Sequence, residues 1–98
     1  MARPDRIEIE NVIQPGKTYR VDAAKFAAMR EAMLAVLPDE APGLTVPEVK
    51  AGVLPRLPEA LFPGGDKAGW WIKAVQLDLE AKRVIVRGPK APVRLYRL

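Results

Sequence analysis

The 98-residue chain contains no cysteine, no histidine and no serine. Without cysteine there is no disulfide framework, no thiolate metal site and no thiol nucleophile. Without histidine there is no imidazole to act as a general base near neutral pH. The side-chain hydroxyls are confined to Thr18, Tyr19, Thr45 and Tyr96, and Thr45 is placed to cap a helix. The acidic pair Asp39-Glu40 falls in a loop, and Asp78 and Glu80 point to different sides of one helix. The expectation is a protein that is not an enzyme and takes no cofactor and no metal. Long apolar runs are missing as well. The longest, Ala32 to Leu37, has six residues, far below the roughly 20 that span a bilayer. The opening MARPDRIEIE has no apolar stretch behind its basic residues, so no secretory signal is expected. A cytoplasmic protein with no membrane contact follows. Pro15-Gly16-Lys17-Thr18 matches the end of a Walker A loop, but Asn11 stands where that loop requires its first glycine, and nucleotide binding is not expected.

What is present describes one globular domain. Apolar residues make up 49% of the chain and charged residues 29%, a balance that supports a packed core. The charge is unevenly placed. Residues 1–81 carry ten basic and twelve acidic side chains, whereas residues 82–98 carry six basic and no acidic ones. The net charge of +4 therefore resides at the C-terminus. A single-sign run of this kind is either a solvated face or a footprint for phosphate.

The periodicity divides the chain into a short N-terminal arm or strand, residues 1–21, and a body, residues 22–98. Arg6 to Glu10 alternates apolar and charged side chains, the pattern of a strand with one face packed. Pro15-Gly16 marks a turn. Asp22 is a helix N-cap, and Phe26, Met29, Met33, Val36 and Leu37 share one face of the helix that follows, which Pro38 stops. Thr45 and Glu48 form a capping box for a short second helix with Val46, Val49 and Val53 on one side. The segment from Pro55 to Asp66 holds Leu57, Leu61 and Phe62 as core anchors, with a helical turn at residues 59–62. A third helix is expected from about Lys67 to Lys82. One of its arcs holds Ala68, Trp71, Ile72, Val75 and Leu79. A second, roughly opposite, holds Trp70, Ala74, Leu77 and Ala81. Gly69, Lys73, Gln76 and Glu80 form a polar stripe between them. Such a helix is either wedged between two layers or gives its second arc to an interface. Two strands, residues 83–87 and 93–97, then flank a loop containing Pro89 and Pro92, where proline removes no ladder hydrogen bond.

Three helices followed by a basic hairpin resemble the winged helix-turn-helix superfamily over residues 22–98. The segments VDAAKFAAMR, LFPGG and GWWIKAVQLDLEAK also look like a small family of uncharacterised bacterial proteins without an established activity. The resemblance implies a mostly helical α+β fold, a three-helix core with a C-terminal wing. In that superfamily the third helix enters the major groove of DNA and the wing touches the backbone. Carried over, this puts Lys73 and Gln76 at the groove and Arg83, Arg87, Lys90, Arg94 and Arg97 at phosphates, with duplex DNA as the partner of a regulator or accessory factor. The alternative uses the second arc of helix three, Trp70, Ala74, Leu77 and Ala81, as a surface for a protein partner or a homodimer without a nucleic-acid role.

Overall fold

In a computed structural model, residues 6–98 are described, and residues 1–5 of the expected N-terminal arm lie outside them. The chain begins with β1, Arg6–Glu10, and β2, Thr18–Asp22, which pair antiparallel as a hairpin with Ile7 opposite Val21 and Ile9 opposite Tyr19. Those four side chains form its inner face, and Ile9 and Val21 are buried. Arg6, Glu8, Glu10, Thr18, Arg20 and Asp22 alternate with them on the outer face. The expected arm, residues 1–21, thus holds β1 and all of β2 but Asp22, a hairpin docked on the body. Its second strand carries the same alternation in Thr-Tyr-Arg-Val-Asp.

Helix α1, Ala23–Val36, starts where expected, because the Asp22 carboxylate accepts the Lys25 N–H at 2.9 Å. It buries Phe26, Met29, Ala32 and Met33 on one face. Strand β3, Leu44–Thr45, and helix α2, Val46–Val53, follow. The capping box forms in both directions. The Glu48 N–H reaches the Thr45 hydroxyl at 3.3 Å, and the Thr45 N–H reaches Glu48 Oε1 at 2.8 Å. That second bond holds the Glu48 carboxyl below its ordinary pKa, aided by the bond to the Thr45 side chain. Pro55 ends α2, and a single 3-10 turn, Leu54–Arg56, follows. Among the anchors of the next segment, Phe62 is buried and meets Trp71 edge to face, with ring centroids 6.3 Å apart. The turn at 59–62 is held by the N–H groups of Leu61 and Phe62 on the Pro58 carbonyl.

Helix α3 runs Ala68–Ala81, and β4, Ile85–Arg87, and β5, Arg94–Arg97, close the chain. The three-stranded sheet has the order β3–β5–β4, antiparallel throughout, with Leu44 opposite Leu95 and Val86 opposite Tyr96. Gly43 makes the join possible. Its φ is +84°, and a Cβ there would collide with the Leu95 carbonyl. The core lies where the three helices meet this sheet; Met29, Met33, Val49, Val53, Val75 and Leu95 are fully buried. The architecture is a small α+β unit of three helices and two antiparallel sheets.

Candidate functional site

Helix α3 is covered on both sides, and this decides which of its residues face a partner. Its first arc, Ala68, Trp71, Ile72, Val75 and Leu79, lies in the core as expected. Its second arc meets the hairpin. The Val12 N–H donates to the Leu77 carbonyl at 3.3 Å, and the Glu10 N–H donates to Asp78 Oδ1 at 2.8 Å. Asp78 is 1% exposed, and its charge is matched by Lys82 Nζ at 2.8 Å. A buried carboxylate is tolerable only when paired and hydrogen-bonded in this way. Asp78 is therefore a clamp between hairpin and helix. The hairpin buries Leu77 and half-buries Ala74 and Ala81, so the second arc is not one open face. Only Trp70, at 58% exposure, remains in solvent.

The polar stripe changes character too. Gln76 is 2% exposed and donates to Glu80 Oε2 at 2.9 Å. This corrects its placement at a DNA groove, since a side chain enclosed between layers reaches no base edge. Glu80 also accepts two parallel bonds from Arg87, from Nε and from the terminal guanidinium nitrogen, each 3.0 Å. This bidentate geometry is the strong form of an ion pair, and it pushes the Arg87 pKa upward. Arg97 Nε donates to the Leu37 carbonyl at 2.9 Å, while the Arg97 N–H donates to the Pro38 carbonyl at 2.7 Å. Its cation thus sits at the C-terminal end of α1, where cations are favourable. Arg94 lies 4.0 Å from Glu48 with both side chains well exposed, a weak surface pair.

Among the seven residues expected at nucleic acid, the side chains of Lys73, Arg83 and Lys90 are exposed and have no hydrogen-bonding or ion-pair partner among the described residues. They do not converge. Lys73 lies beside the hairpin, whereas Lys90 and Arg94 line a separate hollow with Tyr96 and the loop prolines. Arg83 follows α3 with φ +61°, and the bonds Arg83 N–H to Glu80 O and Val84 N–H to Leu79 O complete a Schellman motif around it.

A groove of about 340 Å³ lies between the hairpin and the first half of α3. Ile9, Val21, Ala74 and Leu77 form its floor, and Tyr19 and Trp70 stand at its walls. Arg20, Lys73, Glu10 and Asn11 complete the lining. Tyr19 is 41% exposed, and its hydroxyl donates to Gln14 Oε1 at 2.7 Å. Trp70 is supported from behind by Trp71 at 5.0 Å between centroids, edge to face. Tyr19, Arg20 and Val21 were not among the expected site residues, although the alternation of β2 was there to be read. Among the described residues no cluster of three or more His, Asp or Glu side chains is arranged to hold a metal, and no helix is long and apolar enough to cross a membrane.

Residues 6–95 match the pattern of a family of unknown function, DUF6958. The chain belongs to that family. No curated protein and no solved structure matches it. The DUF6958 match takes in both walls of the groove, from β1 through α3, as well as β4 and the first residues of β5.

Proposed function

We propose that this protein is an interaction module that docks another protein in the groove between the β1–β2 hairpin and α3. The observation that carries the reading is the pairing of two exposed aromatic side chains, Trp70 and Tyr19, over an apolar floor. Aromatic residues that end in a solvent-facing pocket are the usual energetic centre of a protein interface. Trp70 costs solvation while free, and its indole gains a cover when a partner arrives. The expected contact set is Trp70, Ala74 and Leu77 from α3 with Tyr19 from the hairpin. Ala81 lies toward the clamped end. The test compares capture of binding proteins by the native chain, by Trp70→Ala and by the double variant Lys90→Ala/Arg94→Ala, each checked for a native melting curve. A partner lost with Trp70→Ala and retained by the double variant supports the groove. Retention by Trp70→Ala overturns it. Sedimentation over a wide concentration range reads the homodimer version of the same surface.

A second reading is supported by the strand order. Helices α1, α2 and α3 with β3 joining β5 and β4 fit a winged-helix arrangement, and Arg83 and Lys90 are exposed and Arg94 half-exposed on its basic end. Duplex DNA would then be held by backbone contacts from these three, without Gln76. Anisotropy of a labelled duplex at about 50 mM and 200 mM salt tests it. Binding at the lower salt that collapses at the higher supports phosphate contact, and no binding at the lower removes the reading.

A further inference from the structure

We propose that the outer face of the three-stranded sheet carries a second site, independent of the hairpin groove, for a small aromatic molecule bearing an oxyanion. The register of β5 defines its floor. Leu95 is fully buried, so its strand neighbours Arg94 and Tyr96 lie together on the opposite face. Val86 pairs with Tyr96, and the Gly88 N–H donates to the Arg94 carbonyl, which sets Gly88 on that face too. Strand β5 is central in the sheet. Ala41 and Pro42 therefore border the face on the β3 side, and the loop 88–92 borders it on the β4 side. Together with Arg94 and Tyr96 they line a hollow of about 370 Å³, a size at which ligand sites are found.

The chemistry of the lining selects the occupant. Its only polar side chains are Lys90, Arg94 and Tyr96, and each ends in a hydrogen-bond donor. The Lys90 and Tyr96 side chains have no hydrogen-bond or ion-pair partner among the described residues. Arg94 has only Glu48, 4.0 Å away, and that carboxylate already accepts the Thr45 N–H. No carboxylate lines the hollow; Asp39 and Glu40, the acids nearest in sequence, are exposed outside it. Two cations and a phenol that converge without an acid are the complement of an oxyanion. The rest of the lining is proline, alanine and glycine. Pro42, Pro89 and Pro92 have no N–H to donate, so the walls offer apolar surface in place of hydrogen bonds. A flat ring meets those walls and the Tyr96 ring, while its oxyanion reaches Lys90 and Arg94.

The test titrates the full chain, labelled with nitrogen-15, with phenyl phosphate, benzoate, inorganic phosphate and phenol. The expected result is that the two ring anions shift the amide signals of Lys90, Ala91, Arg94 and Tyr96 to saturation. Inorganic phosphate, which lacks the ring, and phenol, which lacks the charge, bind at least about tenfold more weakly. Tyr96→Phe weakens phenyl phosphate about tenfold, the effect of one hydrogen bond to a charged group, and Lys90→Gln/Arg94→Gln abolishes saturation. In Gly88→Val the added Cβ meets only the Arg94 carbonyl, at 3.8 Å. Its side chain fills part of the hollow, so binding is lost while the melting curve is kept. Should that variant melt lower, Tyr96→Phe and the double variant carry the same test. No saturable shift with either ring anion overturns the site, as does inorganic phosphate that equals phenyl phosphate. Full affinity in Tyr96→Phe and in the double variant overturns it as well. A short oligothymidine that binds more tightly than thymidine monophosphate does so too, because the occupant would then be a strand and not a small molecule.

Discussion

The two sheets flank α3 from opposite ends of the sequence, and they use charge in opposite ways. The C-terminal sheet carries the dense basic run, yet much of that charge is consumed inside the molecule: Arg87 by Glu80, Arg97 by the end of α1, Lys82 by Asp78. The N-terminal hairpin has a balanced outer face and looks unremarkable by composition. It nonetheless shapes the groove where the aromatic side chains of Tyr19 and Trp70 are left exposed. A count of charge along the chain therefore points to one end of the molecule, whereas the exposed aromatic pair Tyr19 and Trp70 lies at the other. Net charge governs long-range attraction, but a contact needs side chains that are not already engaged.

Breaking either sheet from the body gives the largest expected effects. Gly43→Ala forces a left-handed φ on a residue with a Cβ and drives that Cβ into the Leu95 carbonyl. A loss of about 3 kcal/mol is expected, read as a lowered melting temperature with the amides of β3 and β5 losing exchange protection first. On the other side, Asp78→Ala strips the acceptor from the Glu10 N–H and the counter-charge from Lys82. It should cost about 2–3 kcal/mol and release the hairpin, so that the Glu10 and Val12 amides exchange faster while α1 and α2 stay protected. Equal protection of the hairpin in this variant would mean that apolar packing of Ile9 and Val21 holds it without the clamp.

Glu80→Ala sharpens the comparison, because it removes about 1–2 kcal/mol of hydrogen bonding while freeing Arg87 and Gln76. If the C-terminal charge is held in reserve by Glu80, duplex affinity at low salt should rise in this variant, and the Trp70 groove should be unaffected. Arg83→Gly works in the other direction. Its φ of +61° sits at the position after the cap of a Schellman motif, where glycine avoids a steric cost of about 1 kcal/mol. The variant should melt higher, and any loss of binding in it would then belong to the guanidinium alone. The smallest effect concerns pH. The Glu48 carboxyl has its pKa lowered by its bond from the Thr45 N–H. A depressed folded-state pKa adds stability above the ordinary carboxylate value, which is lost as pH falls through the lowered one. Glu48→Gln, which keeps a hydrogen-bond acceptor, should flatten that part of the acid-unfolding curve.

Much of the architecture was legible along the chain. Asp22, Pro38, Thr45, Glu48 and Pro55 act through groups within a few residues of themselves, and α1 and α2 begin and end where those side chains direct. The assignment of Trp71 to the core and the two arcs of α3 follow from the 100° step of a helix. The hairpin is half legible: Arg6 to Glu10 alternates over a full strand length, whereas the alternation of Thr18 to Asp22 is cut short by the turn before it and the helix cap that ends it. Strand β3, two residues long, offered no periodicity at all. For the candidate site, position along α3 identifies Trp70 and Lys73 but not Tyr19, and it sets Gln76 at a DNA groove although that side chain is buried.

By itself the amino-acid order determined the local elements, the apolar faces and the absence of thiol and imidazole chemistry, since each depends on residue type or on neighbours a turn away. Only the tertiary structure decided what covers each face. Periodicity says that Trp70, Ala74, Leu77 and Ala81 share a side of α3; it does not say that a hairpin some 60 residues earlier lands on one end of that side. Nor does it pair Arg97 with Leu37 or bury Gln76 beside Glu80. These outcomes are set by packing and long-range hydrogen bonds between segments far apart in sequence, and they leave Trp70 in solvent while its neighbour Trp71 is buried.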